Sequence, residues 1–291
     1  PVLPYHNNTN TGNHVLLLDH RDMDILGVYE GGSFDKKLGT LKKGAKALVY
    51  EVGDGTGDTL LYGKPLEIEV PRSQSKIVIH YRTRPSAGAL QWLSPAQTYD
   101  QTHPFLFSQS QAILARTWIP LQDKPSVRFT YSSEVRVVCG AAGAAGAAGA
   151  ATLGVDGSRT STTDCIGVPD LAAVPIKPTD FNVVMSAVKL GNPEGDFESA
   201  SNWGPRCWPS GHRIAMNREG GASSNKVHRF EQKKPIPSYL MAIAVGSFGF
   251  QSLGNNTGVY AEHKLLQKAA WEFADLQKMV NAASDMFGEY A

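Results

Sequence analysis

The sequence has few cysteines, no long run of like charge and no apolar segment long enough to cross a membrane. Its three cysteines, Cys139, Cys165 and Cys207, are widely spaced and form no Cys-X-X-Cys pair. This spacing argues against a disulfide framework and a zinc knuckle, and it favours reduced thiols in a cytoplasmic protein. The longest uncharged apolar segment, IPSYLMAIAVGSFGF at 236–250, is too short and too interrupted by Pro, Ser and Gly to span a bilayer.

The charge balance excludes another group of partners. The chain has 28 Lys and Arg against 27 Asp and Glu, which leaves a formal net charge of +1. A nearly neutral chain without a basic cluster gives no reason to expect binding to nucleic acid or to an anionic membrane. With 291 residues, 42% of them hydrophobic, the chain is long enough for one large folded domain or two modest ones.

The common catalytic motifs are also missing from the sequence. HExxH, GxSxG, GxGxxG and the Walker A loop are absent, and the eight histidines are scattered. The segment DGTGDTLLYG at 54–63 has no glycine at the position that an EF-hand loop requires, and no terminal glutamate follows at the EF-hand spacing. The chain therefore contains no self-sufficient catalytic set and no predicted metal ligands.

The first half of the chain has the pattern of β-strands. In PLEIEVP, Leu66, Ile68 and Val70 alternate with Glu67 and Glu69, which predicts one buried and one exposed face. Turn signals recur and no helical period lasts beyond one turn, so residues up to 138 predict an antiparallel β-sandwich or curved sheet. The other segments interpreted as strands include KALVYEV, SKIVIHYRTRP, AILARTWIP, SVRFTYSSEVRVV, and two within KVHRFEQKKPIPSYLMAIAVGSF joined by a Lys-Lys-Pro turn.

We divide the chain where its residue pattern and composition change. An irregular lead at 1–14 precedes an all-β domain at 15–260, which is interrupted by insertions at 139–181 and 191–225. The first insertion carries a Gly-Ala-Ala repeat, which has too few large side chains to offset its ordering entropy and is therefore expected to be mostly disordered. The segment 261–291 is expected to be an amphipathic helix, which Gly288 ends. Its apolar residues are Leu266, Ala269, Phe273, Leu276, Val280, Ala283 and Phe287.

A long part of the sequence resembles a known family. The run at 89–135 contains ALQWL, HPFLFSQSQAI and RTWIPLQDKPSVRFTY, and it closely resembles the N-terminal domain of the leukotriene A-4 hydrolase branch of zinc aminopeptidases. VVMSAV at 183–188 and KKPIPSYLMAIAVG at 233–246 match further motifs. The resemblance implies a large, curved antiparallel β-sandwich, followed by a C-terminal helix that starts a catalytic domain.

The resemblance also implies a peptide site at the loop FSQSQA. In the family this loop lies at the mouth of the catalytic cleft, so Gln111 would accept a hydrogen bond from the α-amino group of a peptide substrate. Gln109 and the backbone near Ser110 and Ala112 would line the same pocket. By the same resemblance, Arg116 and Asp123 form a structural pair within a turn and take no part in a reaction.

The family pattern continues beyond the helix into GGMEN and HExxH, whereas this sequence stops at Ala291. The resemblance therefore implies zinc in the complete enzyme, none bound by this chain, and a catalytic domain as the partner of this one. The insertions are expected to reflect a retained intron, a mistaken gene model or a lineage-specific loop. Two alternatives stay open: a non-catalytic β-sandwich that binds peptides or proteins, and an inactive truncated product.

Overall fold

A computed structural model describes residues 5–7, 13–35, 40–54, 59–137, 181–191, 196–198 and 225–289. Most of both proposed insertions, including the Gly-Ala-Ala repeat, lies outside these residues. The strands are β1 Tyr5–Asn7, β2 Asn13–His20, β3 Met23–Glu30, β4 Phe34–Asp35, β5 Thr40–Leu41, β6 Tyr50–Val52, β7 Lys64–Pro71, β8 Ile77–Thr83, β9 Leu90–Leu93, β10 Phe105–Ser108, β11 Arg128–Val137, β12 Asn182–Met185, β13 Val188–Leu190, β14 Asp196–Glu198, β15 Asn225–Pro237, β16 Ile243–Gly246, β17 Phe248–Ser252 and β18 Gly258–Glu262. The helices are α1 Thr59–Tyr62, α2 Leu266–Glu272 and α3 Leu276–Phe287.

The described strands pair antiparallel, which confirms the all-β prediction. One four-stranded sheet has the order β1-β2-β7-β6 and lies beside the β3–β8 pair. The alternation in β7 is as predicted, since Leu66, Ile68 and Val70 are all buried. They form one core with Leu16 and Leu18 of β2 and with Val28 of β3.

A second core lies between two further sheets. The first has the order β12-β16-β10-β9, and the second is built from β11, β15 and β13 with β14 at the end of β15. Leu106 and Val245 from the first sheet pack with Val135 and Phe230 from the second. This face-to-face packing of two sheets is the β-sandwich that the sequence predicted.

Two segments differ from the strands expected of them. AILARTWIP is a turn followed by a 3-10 helix at Ala115–Thr117, because the Thr117 hydroxyl and backbone N–H both donate to the Leu114 carbonyl. The Lys-Lys-Pro sequence is not a turn, since β15 continues through Lys233 and Lys234 to Pro237. The chain turns only after Pro237, through a 3-10 helix at Ser238–Leu240.

The C-terminal segment is helical as expected, although it is divided in two. Helices α2 and α3 are separated after Phe273, whose backbone N–H donates to the Ala269 carbonyl, while the next N–H, that of Ala274, donates to the Trp271 carbonyl. No residue of either helix is buried. Among the residues described, no helix is long and apolar enough to cross a membrane.

Candidate functional site

The loop that follows β10 carries the four residues expected to bind peptide. It is fixed at its start by the Gln109 backbone N–H, which donates to the Ala89 carbonyl at 2.8 Å. It is closed by the Leu114 N–H, which donates to the Ser110 carbonyl at 2.9 Å. The peptide bond between Gln111 and Ala112 is cis. We call residues 109–114 the glutamine loop.

The two glutamine side chains of this loop reach into solvent. Gln109, Gln111 and Ala112 are exposed. Within the described part of the chain, neither glutamine amide forms a hydrogen bond. Each side chain therefore retains an acceptor oxygen and two donor hydrogens for a ligand.

Ser110 has a different environment from its neighbours, because it is only 2% exposed. Its hydroxyl donates to the Met241 carbonyl at 2.9 Å and accepts from the Trp118 indole N–H at 3.1 Å. Both partners are themselves buried. The Ser110 side chain therefore points into the protein, away from the exposed glutamines.

Two serines extend the pairing of β10 with β16 beyond the backbone ladder. The ladder pairs Leu106 with Val245 and Phe107 with Ala244. At the next step the Ile243 N–H donates to the Ser108 hydroxyl at 2.9 Å, and two steps further Ser110 bonds Met241. These side-chain bonds hold the start of the glutamine loop against the segment that precedes β16.

This arrangement contains residues that the sequence analysis did not assign to the site. Trp118 and Met241 occur within segments that carry the family resemblance. Nothing in their spacing shows that the two segments meet, because more than a hundred residues separate them. The contact could be found only from the pairing of β10 with β16.

A buried ion pair supports the base of the glutamine loop. Arg116 and Asp123 are 6% and 1% exposed, and the Arg116 Nε lies 3.1 Å from Asp123 Oδ2. The guanidinium also donates to the carbonyls of Asp123 and Tyr62, and Asp123 Oδ1 accepts from the Ser238 hydroxyl at 2.5 Å. These contacts confirm that Arg116 and Asp123 form a structural pair, which ties the segment after the glutamine loop to Tyr62 and Ser238.

A second titratable pair lies in the loop between β9 and β10. Asp100 Oδ2 is 2.6 Å from His103 Nδ1, and Asp100 Oδ1 accepts from the backbone N–H groups of Thr102 and His103. Partial burial raises the pKa of Asp100, but the bonds from His103 and Thr102 outweigh it and lower the pKa to about 2. No serine or cysteine donates to this pair among the bonds described, so it organises the loop.

The described residues do not fit a zinc ion. Zinc in a protein takes at least three ligands from Cys, His, Asp and Glu. No group of three such residues lies close enough together in the parts of the chain that the structure describes. The implied metal therefore has no site among these residues, and no chemical step can be assigned to it here.

Comparisons with known proteins agree with this architecture. The chain is 33% identical to the leukotriene A-4 hydrolase of Xenopus laevis over 233 residues, which are 78% of this chain and 28% of the relative. It is 29% identical to leucine aminopeptidase 2 of Chaetomium globosum over 253 residues, 83% of this chain and 30% of the relative. No protein-family model matches it.

Among solved structures, yeast leukotriene A-4 hydrolase in complex with bestatin shows the same fold. Its TM-score is 0.60 at 22% identity, and the similarity covers 98% of this chain but 31% of the yeast chain. The match is to the N-terminal domain of the zinc aminopeptidases. The chain thus spans about 30% of the length of the relatives that it matches.

Proposed function

We propose, from the premise that this chain is homologous to the N-terminal domain of leukotriene A-4 hydrolases and leucine aminopeptidases, that it forms the substrate-cleft wall of a zinc aminopeptidase. In the complete enzyme, this wall would hold the amino end of a peptide while the catalytic domain hydrolyses the first peptide bond. Zinc would be bound by that catalytic domain. A lipid epoxide is a second possible substrate of the same cleft.

The observation that carries this proposal is the state of the glutamine loop. Two amide side chains, those of Gln109 and Gln111, are exposed and make no hydrogen bond in the described part of the chain, while the backbone beneath them is fixed. A peptide ammonium group needs hydrogen-bond acceptors when it leaves water. A neutral amide oxygen supplies one, and it does not exclude an apolar substrate as a carboxylate would.

The proposal also covers the domain boundaries, the rest of the pocket and the compartment. We keep the β domain at 15–260 and the start of the catalytic domain at 261–291, although strand β1, the first residues of β2 and the end of β18 lie outside the first range. Ser110 and Ala112 contribute to the pocket through their backbone. The protein acts in the cytoplasm, a placement that rests on its three widely spaced cysteines.

Peptide titration tests the role of Gln111 directly. A tripeptide with a free amine is added to the chain, and the binding is compared with that of its N-acetylated form. We expect the free amine to bind more tightly and to shift the side-chain amide resonances of Gln111. Gln111→Ala is expected to weaken free-amine binding about tenfold, the value of one hydrogen bond to a charged group.

Gln267→Ala is the matched control, because Gln267 is an exposed glutamine on α2, in another part of the chain. This variant is expected to bind both peptides as the unchanged chain does. Equal binding of the free and acetylated peptides would refute the proposal.

The alternative function is a non-catalytic binding module, and one observation favours it. Trp271 and Phe287 on the C-terminal helices are 79% and 84% exposed, an unusual state for large apolar side chains. Under this alternative the helices would bind a protein partner. Peptide binding that depends on Phe287 and is independent of Gln111 would favour it.

A further inference from the structure

The glutamine loop is held to the rest of the protein by few bonds. The backbone ladder between β10 and β16 ends at Phe107, before the loop begins. Before Gln111 the loop has the Gln109 N–H bond to Ala89 and the Ser110 hydroxyl bond to Met241, and at its end the Leu114 carbonyl accepts from Thr117. The two links before Gln111 are the ones nearest in sequence to the exposed glutamines.

The Ser110 link is the more demanding of the two. Its hydroxyl donates to one buried group and accepts from another, so its rotamer and the backbone beneath it are fixed from both sides. Removal of the oxygen would leave the Met241 carbonyl and the Trp118 indole N–H without this partner. Buried polar groups that lose a partner are costly, so the loop would move to let water reach them.

We propose that Ser110 is the positioning residue of the peptide site, and that its hydroxyl sets the location of Gln111 without contacting substrate. This inference rests on the proposed function for its consequence, since Gln111 is the residue that would bind the peptide amine. The claim that Ser110 fixes the loop does not depend on that function. Ser110 orients the loop through Met241 on one side and Trp118 on the other. Both partners belong to the second core, so the position of the loop depends on the packing of that core.

Three variants of the chain test the proposal. Ser110→Ala removes the hydroxyl, and Ser110→Thr retains it. Ser186→Ala is the control, because the Ser186 hydroxyl accepts from the Ala242 N–H at 2.9 Å and so supports the same segment from outside the loop. Hydrogen exchange of the Gln109 and Leu114 amides and the NMR resonance of the Trp118 indole N–H report the loop. The ratio of affinities for free and N-acetylated tripeptide reports the site.

We expect Ser110→Ala to speed exchange at Gln109 and Leu114 about tenfold, which corresponds to the loss of one typical hydrogen bond, and to shift the indole resonance. The affinity ratio is expected to fall to the value found for Gln111→Ala. Ser110→Thr is expected to restore exchange and ratio, and Ser186→Ala to leave both unchanged. Unchanged exchange and an unshifted indole resonance in Ser110→Ala would overturn the proposal, as would equal falls of the ratio in Ser110→Ala and Ser186→Ala.

The experiment distinguishes a failure of the proposed function from a failure of the role proposed for Ser110. If the unchanged chain does not discriminate between the peptides, the proposed function fails, while the exchange and indole measurements still decide whether Ser110 holds the loop. Should Ser110→Ala not fold, Ser110→Cys offers the same comparison with a side chain of similar shape and a weaker donor.

Discussion

At the scale of single residues, Asp123 is the polar centre on which the surroundings of the glutamine loop depend. Its carboxylate is 1% exposed and bonds Arg116 and the Ser238 hydroxyl, while its backbone N–H donates to Asp19. Arg116 lies in the 3-10 helix after the glutamine loop, Ser238 in the turn after β15, and Asp19 in β2. Asp123 therefore links three separate parts of the chain through its carboxylate and its backbone N–H.

Asp123→Ala is expected to lower the free energy of unfolding by about 3–5 kcal/mol, because it leaves the buried Arg116 guanidinium with only the longer contact to the Asp19 carboxylate, at 3.6 Å. Urea unfolding at neutral pH measures this loss. Asp24→Ala is the control, since Asp24 pairs with Arg82 and Arg84 in a more exposed position. Its expected loss is about 1 kcal/mol or less. Similar losses for the two variants would show that burial of the Asp123 pair is unimportant.

The pH dependence of stability is expected to involve His20, which is 6% exposed at the end of β2. Burial lowers the pKa of His20 below its ordinary value of 6.5, and the positive charges of Lys64 and Arg84 lower it further, against the opposing charge of Asp19. His20 is therefore neutral in the folded chain at pH values where it takes up a proton when unfolded. The protein retains this stability above about pH 6.5 and loses it as the pH falls.

Urea midpoints at pH 7.5 and pH 5.0 test this account. The unchanged chain is expected to lose more stability between the two pH values than His20→Gln does. If the two chains lose the same amount, the titration of His20 does not contribute. The seven other histidines are present in both chains and do not affect the difference.

At the scale of elements, alternating patterns predicted strands well and continuous buried runs predicted them poorly. Strand β7 was predicted because one face is apolar and the other is charged. The segment around Ala115–Thr117 is buried on all sides, so its composition could not distinguish a strand from a 3-10 turn. Its conformation is set by the Thr117 bond to Leu114 and by the pairing of Arg116 with Asp123, seven residues further on.

The candidate site shows the same limit. The sequence indicated the glutamines only through the family resemblance, since exposed polar side chains have no pattern of their own. The support of the loop by Met241 depends on the pairing of strands that lie far apart in the sequence. That pairing is a property of the sheet and cannot be read from either segment alone.

The C-terminal helices lead to a prediction about exposed apolar side chains. Met286 and Phe287 are 70% and 84% exposed, so they contribute little to the stability of this chain. Met286→Gln and Phe287→Gln are each expected to change the free energy of unfolding by about 0.5 kcal/mol or less. Phe230→Ala, in the second core, is expected to cost about 3–5 kcal/mol. Chemical denaturation of the three variants measures these changes. A large loss of unfolding free energy in the helix variants would mean that these side chains pack against other residues in solution.

At the scale of the whole molecule, the chain corresponds to one part of longer zinc aminopeptidases. The homologues are about three times as long as the part that this chain matches. The described part of the chain supplies the glutamine loop and its support, and none of it gathers three metal-binding side chains.

The purified 291-residue chain is expected to hold well below one zinc ion per molecule and to leave aminoacyl anilides unhydrolysed. The reason is that zinc needs three protein ligands and an open position for water. Elemental analysis after dialysis against zinc, together with a hydrolysis assay, checks both parts. Stoichiometric zinc, or hydrolysis that a chelator abolishes, would contradict this assignment of roles.

The central claim is that this domain works as part of a zinc aminopeptidase, and the complete coding transcript tests it most directly. Sequencing past codon 291 and across codons 139–226 determines which residues the gene encodes after the helices and whether the insertions belong to the protein. We expect an in-frame HExxH with a downstream glutamate, which would supply the zinc ligands and general base that the domain lacks. A stop codon directly after Ala291 would contradict the claim and leave the binding module or an inactive product as the remaining alternatives.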